Sequence, residues 1–349
     1  MKRYKLRLTL KSRLGTPMTA DTLFGHLCWG MLYYEGQAAL EKFLDDMQSS
    51  QPPLIIGDPC PEGFLPSPIL PPASVDEYNQ MKYHLQQHID SERAKQDDPS
   101  KAVEHPAIEA HDKLKEYRKR QWISVENFSK CIDNLSALSL LQANLESPSS
   151  PKVLKEATVF HNTINRITLH TAEEGGLFVQ TEYFPDCPDF HFDLYILSTL
   201  EPERIRTIFE QGLIGGYGAD ASTGKGHIEV GQINSAPLPE ASNPNAVLAM
   251  GVFCPAEDDP ARGWWRTEVR LGKVGGAWLV DSEKYSPFKY PLILLKAGSI
   301  LSPPPDRPYL GRIVPNVHPT LKKVVTYAMT PVLPVRCPSL DTELKEQSQ

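Results

Sequence analysis

The sequence predicts an α+β fold, with strands and helices mixed in the first half and strands dominating the second. Three observations carry this expectation. Residues 3–13 alternate apolar and basic side chains with a period of two, the mark of a half-buried strand. Leu23, Phe24, Leu27, Cys28, Met31 and Leu32 then recur at the spacing of an amphipathic helix that stops at Gly36. Beyond a proline-rich stretch at 235–244 the chain reads as a series of short strand-like runs with no strong helical period.

The elements follow in order. In the first strand Tyr4, Leu6, Leu8 and Leu10 share one face, and Arg3, Lys5, Arg7, Thr9 and Lys11 share the other. The basic face reads either as a solvated surface or as a platform for a phosphate backbone. Leu14–Pro17 is a turn, Asp21 or Thr22 caps the first helix, and a second helix fits Ala38–Met47. Leu54-Ile55-Ile56 and Phe64–Leu70 read as short, proline-interrupted strands. Residues 75–150 are polar and poor in β-branched side chains, so a mostly helical insertion is expected, with Ser136–Leu145 its most apolar part. Strands return at Ala157–Thr168 and Leu177–Phe184, joined by a turn at Glu173-Glu174-Gly175-Gly176, and at Phe190–Ser198. Pro202 opens a helix that ends near Gly212, and His227–Ile233 is a strand. The order β-α-β…β-α-β is that of a ferredoxin-like split unit interrupted by an insertion. The expected division is 1–240, with the insertion at about 75–150, and 241–349, a β-rich second domain. Strands in the latter are expected at Val247–Phe253, Trp265–Leu271, Ala277–Val280, Pro291–Lys296 and Val324–Val335, before a polar tail after Cys337.

Composition narrows the function classes. The 349 residues carry a formal charge of −7, which argues against a free-standing nucleic-acid binder but leaves local basic faces open. The six cysteines form no CxxC pair, so neither a zinc ribbon nor a disulfide framework is expected. The N-terminus alternates rather than building a continuous apolar run, so it does not read as a signal peptide, and no run reaches the roughly 18 apolar residues of a membrane helix. A cytoplasmic protein with no membrane partner is expected.

The sharpest chemical feature is the stretch 215–226, GGYGADASTGKG. Glycines let backbone approach a ligand, successive N–H groups can cradle an anion, and Ser222, Thr223 and Lys225 add donors suited to phosphate. It is not a Walker A loop. Five residues separate Gly218 from Gly224, Gly226 follows the lysine, and the context is helix to strand. The second feature is 161–168, HNTINRIT, where Arg166 can clamp phosphate and His161, Asn162 and Asn165 can bond base edges or 2′-hydroxyls. Catalytic signatures are weak. There is no HExxH and no GxSxG, His84 and His88 read as a solvated helical pair, and His26 reads as a packed or surface histidine. No catalytic residue, metal site or cofactor is expected.

Four segments together resemble a known family: GTPMTADTLFGHLCW at 15–29, HNTINRITLHTAEEGGLFVQTEYF at 161–184, GGYGADASTGKGHIEV at 215–230 and GRIVPNVHP at 311–319. They are similar to the fourth subunit of the Csm complex, the type III-A CRISPR effector, within the RAMP superfamily. The resemblance implies tandem ferredoxin-like (RRM-like) domains. It also implies a non-catalytic, guide-RNA-binding subunit of an antiviral ribonucleoprotein. Such a subunit would hold the repeat-derived 5′ tag of the crRNA and dock the large signalling subunit and the backbone subunits. Carried over by motif, the candidate RNA contacts are His161, Asn162, Asn165, Arg166, Gly215, Gly216, Gly218, Ser222, Thr223, Gly224, Lys225 and Gly226. The competing expectation is a metal-independent RAMP endoribonuclease that cuts precursor crRNA, with His26 or His161 as general base.

Overall fold

The computed structural model describes residues 1–95, 106–171, 176–275 and 286–341. The first three residues of the turn expected at 173–176, the strand expected at 277–280 and most of the tail after Cys337 lie outside these residues. The described residues are mixed helix and antiparallel sheet, as the periodicities predict.

The chain begins with β1 (Lys2–Leu10), α1 (Ala20–Glu35), α2 (Gln37–Met47), β2 (Leu54–Ile56), β3 (Cys60–Pro61) and β4 (Phe64–Pro66). The insertion follows as α3 (Val75–Lys95), α4 (Pro106–Arg118), β5 (Trp122–Ser124), α5 (Val125–Cys131) and α6 (Ala137–Glu146). Next come β6 (Leu154–Asn162), β7 (Leu177–Pro185), β8 (Phe190–Ser198), α7 (Pro202–Leu213) and β9 (Ile228–Ser235). The second half contains β10 (Ala246–Ala249), β11 (Arg262–Trp264), β12 (Thr267–Arg270), β13 (Leu292–Leu295), β14 (Ile300–Ser302), β15 (Tyr309–Val314) and β16 (Thr326–Val335).

The first sheet runs β2-β8-β1-β9, with β3 also on β8, and every pairing is antiparallel. Period-two burial of Leu6, Leu8 and Leu10 places β1 at its centre, and α1 and α7 share the same core through Leu23, Leu27, Ile205 and Phe209. The two helices cross at bare backbone. A Cβ on Gly30 would lie 2.6 Å from the Gly212 nitrogen, so only glycine permits this approach.

The outward face of β1 is not a phosphate platform. Arg3 pairs with Glu240 at 2.7 Å, Lys5 with the buried Asp193 at 3.3 Å and Lys11 with Glu229 at 2.9 Å, while Arg7 pairs with Glu62. Every cation on that face already has a carboxylate from a neighbouring strand or loop.

The second sheet runs β11-β14-β10-β16-β15, again antiparallel. Strands β11, β14 and β15 escape the sequence pattern. They are three to six residues long and lie beside glycine or proline. Tyr309, Ile313, Tyr327 and Met329 from this half join Leu6 and Leu8 in one core. The proline-rich stretch at 235–244 packs too, with Ala236 and Ala241 buried against Leu333 and Val335.

Several local expectations shift. Helix α1 starts at Ala20, ahead of the expected Asp21 or Thr22 cap, and its first amide is held at 2.8 Å by the Asp58 carboxylate rather than by a local side chain. The strand expected over Phe64–Leu70 ends at Pro66, where successive prolines remove ladder donors. The strand expected over Ala157–Thr168 is Leu154–Asn162, and the chain turns beyond it. The insertion is mostly helical as expected, and α6 docks through Leu140 onto the core that also holds Leu333 and Cys337.

Candidate nucleic-acid interface

The glycine-rich stretch leaves α7, makes one 3-10 turn at Ala221–Thr223 and enters β9. Tyr217 anchors it. The ring is fully buried, its hydroxyl donates to the Pro17 carbonyl at 2.8 Å, and the same oxygen accepts the Thr19 amide at 3.0 Å. Gly226 closes the stretch with φ +68°. A Cβ there would meet the Tyr217 carbonyl oxygen at 2.0 Å, and the Gly226 carbonyl accepts the Tyr217 amide. No other residue fits this position.

His26 belongs to this framework. Its Nε2 accepts the Gly218 amide at 2.9 Å, while Thr16 Oγ1 accepts the Ala219 amide at 3.0 Å. Burial pushes the His26 imidazole below its ordinary value, which keeps it neutral and Nε2 free to accept. Two loop amides that the sequence offers to an anion are therefore already used.

Lys225 departs from its expected role. Its side chain is 3% exposed, and its ammonium lies 2.7 Å from Glu182 Oε1, 2.9 Å from Asp220 Oδ2 and 2.9 Å from Gln180 Oε1. An ammonium has three donors, and all three have partners inside the protein. Lys225 therefore holds the loop against β7 instead of presenting charge to a phosphate. Burial pushes the Glu182 carboxyl up, but hydrogen bonds from Lys225 and His161, with the charges of Lys225 and Arg13, hold it below the usual carboxylate range. Asp220 is likewise held low, first by its bond from Lys225.

Glu182 joins the two predicted segments. Its side chain is fully buried, and its oxygens meet His161 Nε2 at 2.9 Å, Lys225 at 2.7 Å and Arg13 at 2.7 Å. The hairpin residue His161 and the loop residue Lys225 thus share one carboxylate although far apart in sequence. Asn162 at the end of β6 and Asn165 and Arg166 beyond it are exposed, as are Gly215, Ser222, Thr223 and Gly224 in the loop. Gly216 and Gly218 are partly covered and Gly226 is buried. Asn165 shapes its own turn, its side-chain oxygen accepting the Ile167 amide at 2.9 Å. Among the described residues the Arg166 side chain meets no carboxylate.

Sequence reasoning missed Glu182, Gln180, Asp220 and Arg13. Period two in β7 puts Gln180 and Glu182 on one face, a signal that was present but unspecific. It also missed the apolar tip of the β6–β7 hairpin, where Phe160, Ile164, Ile167, Leu169, Leu177 and Val179 are all exposed, Ile167 by 93%. No group of His, Cys, Asp and Glu suited to a metal occurs among the described residues, and no helix there is long and apolar enough to cross a membrane.

Comparison with known proteins adds a fold. No family model matches the sequence, and no curated protein matches it. Solved structures do. A Csm1–Csm4 cassette in complex with AMPPNP aligns with TM-score 0.53 at 17% identity, over 97% of this chain and 99% of that chain. The Csm3–Csm4 subcomplex of a type III-A CRISPR-Cas interference complex aligns with TM-score 0.50 at 15% identity, over 96% and 100%. These likenesses, all below 20% identity, define the class of fold. The particular fold it shares, along nearly its whole length, is that of Csm4, the subunit common to both complexes.

Proposed function

We propose that this chain is a guide-RNA-binding, non-catalytic subunit of a type III-A effector, the counterpart of Csm4, acting in antiviral defence in the cytoplasm. It would hold the repeat-derived 5′ tag of the crRNA and dock the large signalling subunit and the adjacent backbone subunit. The observation that carries this reading is the Glu182 junction, which fixes hairpin and glycine loop against each other and leaves Asn162, Asn165, Arg166, Ser222 and Thr223 exposed. Among the described residues Arg166 meets no carboxylate, so it supplies a cation, and the amide and hydroxyl side chains supply donors for phosphate and 2′-hydroxyl oxygens. His161 and Lys225 position these groups. The apolar hairpin tip is the face for the adjacent backbone subunit.

The non-catalytic part of the reading is supported by the use of both candidate bases. His26 accepts a loop amide, and His161 is tied to Glu182. The tandem ferredoxin-like arrangement, divided near residue 240, is supported by strand order. The first sheet runs β2-β8-β1-β9 and the second contains β11-β14-β10-β16, and in each the opening strand of its half lies third and the closing strand fourth.

The test is binding of a labelled 5′-tag RNA to the full chain and to Arg166→Ala. A charge-assisted contact is worth roughly 1.5–3 kcal/mol, so affinity should fall about ten- to a hundredfold. The melting temperature should hold, because Arg166 is exposed and meets no carboxylate among the described residues. Equal affinity in the two proteins would remove the site. Cleavage of repeat RNA by the pure chain in EDTA would move the reading to the endoribonuclease.

A further inference from the structure

We propose that the cleft between the end of α4 and the base of the β12–β13 ribbon is a second phosphate-binding site, built for the backbone of a single-stranded RNA. The cleft encloses about 640 Å3 where the insertion meets the second half of the chain. Arg118, Lys119 and Arg120 line it from the insertion, and Arg266 and Lys296 from the opposite wall. The one carboxylate in its lining, Glu268, is already bound to Arg270 at 2.7 Å.

The state of these cations sets the cleft apart. On β1 each lysine and arginine of the outward face has an acidic partner. Among the described residues none of the five cleft cations lies within ion-pair distance of a carboxylate. Arg120 bonds only the neutral Asn144 oxygen, at 3.1 Å, and lies over the Tyr117 ring at 5.1 Å. Arg118 also complements the carbonyl end of α4, but that explains nothing on the other wall, where Arg266 precedes β12 and Lys296 follows β13. Like charges converging from separate elements on a chain of net charge −7 repel one another. An anion between them removes that repulsion.

The lining also identifies the kind of anion. Tyr117 and Trp122 lie among the cations and are only partly covered. Cations interleaved with aromatic rings suit a single strand, whose phosphates meet the charges while its bases stack. Two opposed basic walls match a run of phosphodiesters. A free nucleotide offers the same phosphate chemistry, and the experiment separates the two sources. No lining residue belongs to the candidate guide-tag site, so the proposal stands or falls independently of that reading.

The experiment measures a short labelled oligouridylate binding to the full chain across a salt series, in an Asn165→Ala/Arg166→Ala background that removes the cation of the guide-tag site and one of its amide side chains. Single-stranded contacts contribute about 0.7 to the log–log salt slope per phosphate. Replacing Arg118, Lys119, Arg266 and Lys296 by Gln should therefore reduce the slope by about 2 to 3 and weaken binding at low salt more than tenfold. Replacing Arg118 and Arg266 by Lys should retain most of the slope. All four side chains are exposed, so the melting temperature serves as the control for folding. An unchanged slope in the glutamine variant overturns the proposal. So does equal binding of an uncharged methylphosphonate oligomer. Tighter binding of ATP or tripolyphosphate than of the oligonucleotide overturns the strand in favour of a nucleotide.

Discussion

Lys225 and His26 show how environment reassigns a residue. Both carry chemistry that invites a functional reading, and both are absorbed into the framework of the loop. Removing the Lys225 ammonium leaves Glu182 and Asp220 short of a cation, and breaking a buried pair from one side costs about 3 kcal/mol or more. Arg13 and His161 remain on Glu182, which keeps the expected loss for Lys225→Met at about 3 kcal/mol. Chemical denaturation of the variant measures it, and a loss below 1 kcal/mol would mean that the ammonium is solvated rather than locked. His26 gives a pH signature. Its value is lowered in the folded state, so its contribution is present above the unfolded value of 6.5 and is lost as pH falls below it. Wild type should lose stability through this group as pH falls below 6.5, and His26→Ala should lack that component. Parallel melting curves for the two proteins over this range would refute the assignment.

The hairpin and the glycine loop work as a pair of elements. Gly226 is their tightest point, since a methyl group there has 2.0 Å to the Tyr217 carbonyl oxygen at a positive φ. Gly226→Ala should cost about 2 kcal/mol or more and loosen the loop. Hydrogen exchange at the Tyr217 and Gly218 amides reports this directly, and unchanged protection would contradict it. In the proposed function the hairpin tip carries protein contact rather than RNA contact, and the two can be tested apart. Ile167→Gln with Leu169→Asn should leave tag-RNA affinity of the isolated chain within about twofold, because neither native side chain is polar or packed and the change adds no charge beside Arg166. The same variant should lose co-purification with the backbone subunit, as expected for an exposed apolar patch turned polar. Retained co-purification would place that interface elsewhere.

At the scale of the whole molecule, the two sheets are joined by polar bonds as well as by a shared core. Tyr327 on β16 puts its hydroxyl against β2, donating to the Ile56 carbonyl at 2.9 Å and accepting the Ile56 amide at 2.7 Å. Tyr327→Phe strands a buried amide and carbonyl, so a loss of about 1–3 kcal/mol is expected, with the whole transition moving together. A calorimetric trace that splits in two would show that the halves are independent. Asp58 is a second tie, accepting the Ala20 amide at 2.8 Å and the Val252 amide at 2.8 Å. Burial pushes its carboxyl up to about 6, against those two bonds, with Asp21 adding to the rise. A carboxyl raised in the folded state stabilises the fold as pH drops from about 6 towards its ordinary value, opposite in sign to His26. Titrating the Asp58 carboxyl by NMR distinguishes the two groups, and a midpoint near 4 would remove this contribution.

The sequence alone determined the parts of this protein that depend on periodicity. Alternation in 3–10 and 190–198 fixed two central strands, because a sheet with one buried face forces a period of two. The helical period of 23–32 and the proline at 202 located α1 and α7, and the low β-branched content of 75–150 marked the helical insertion. The glycines of 215–226 announced a loop of unusual backbone, since positive φ at Gly216, Gly218, Gly224 and Gly226 demands that residue. What each polar side chain does was decided only by tertiary structure. The cations of β1 were neutralised by acids arriving from Glu62, Asp193, Glu229 and Glu240. Lys225 was claimed by a glutamate on β7, and His26 by an amide nearly two hundred residues away. Among the described residues Arg118, Lys119, Arg266 and Lys296 were left without acids, the first two from a basic run at 118–120 and the others as single cations. Periodicity is a property of neighbours along the chain, whereas charge pairing depends on neighbours in space, which only the folded chain defines.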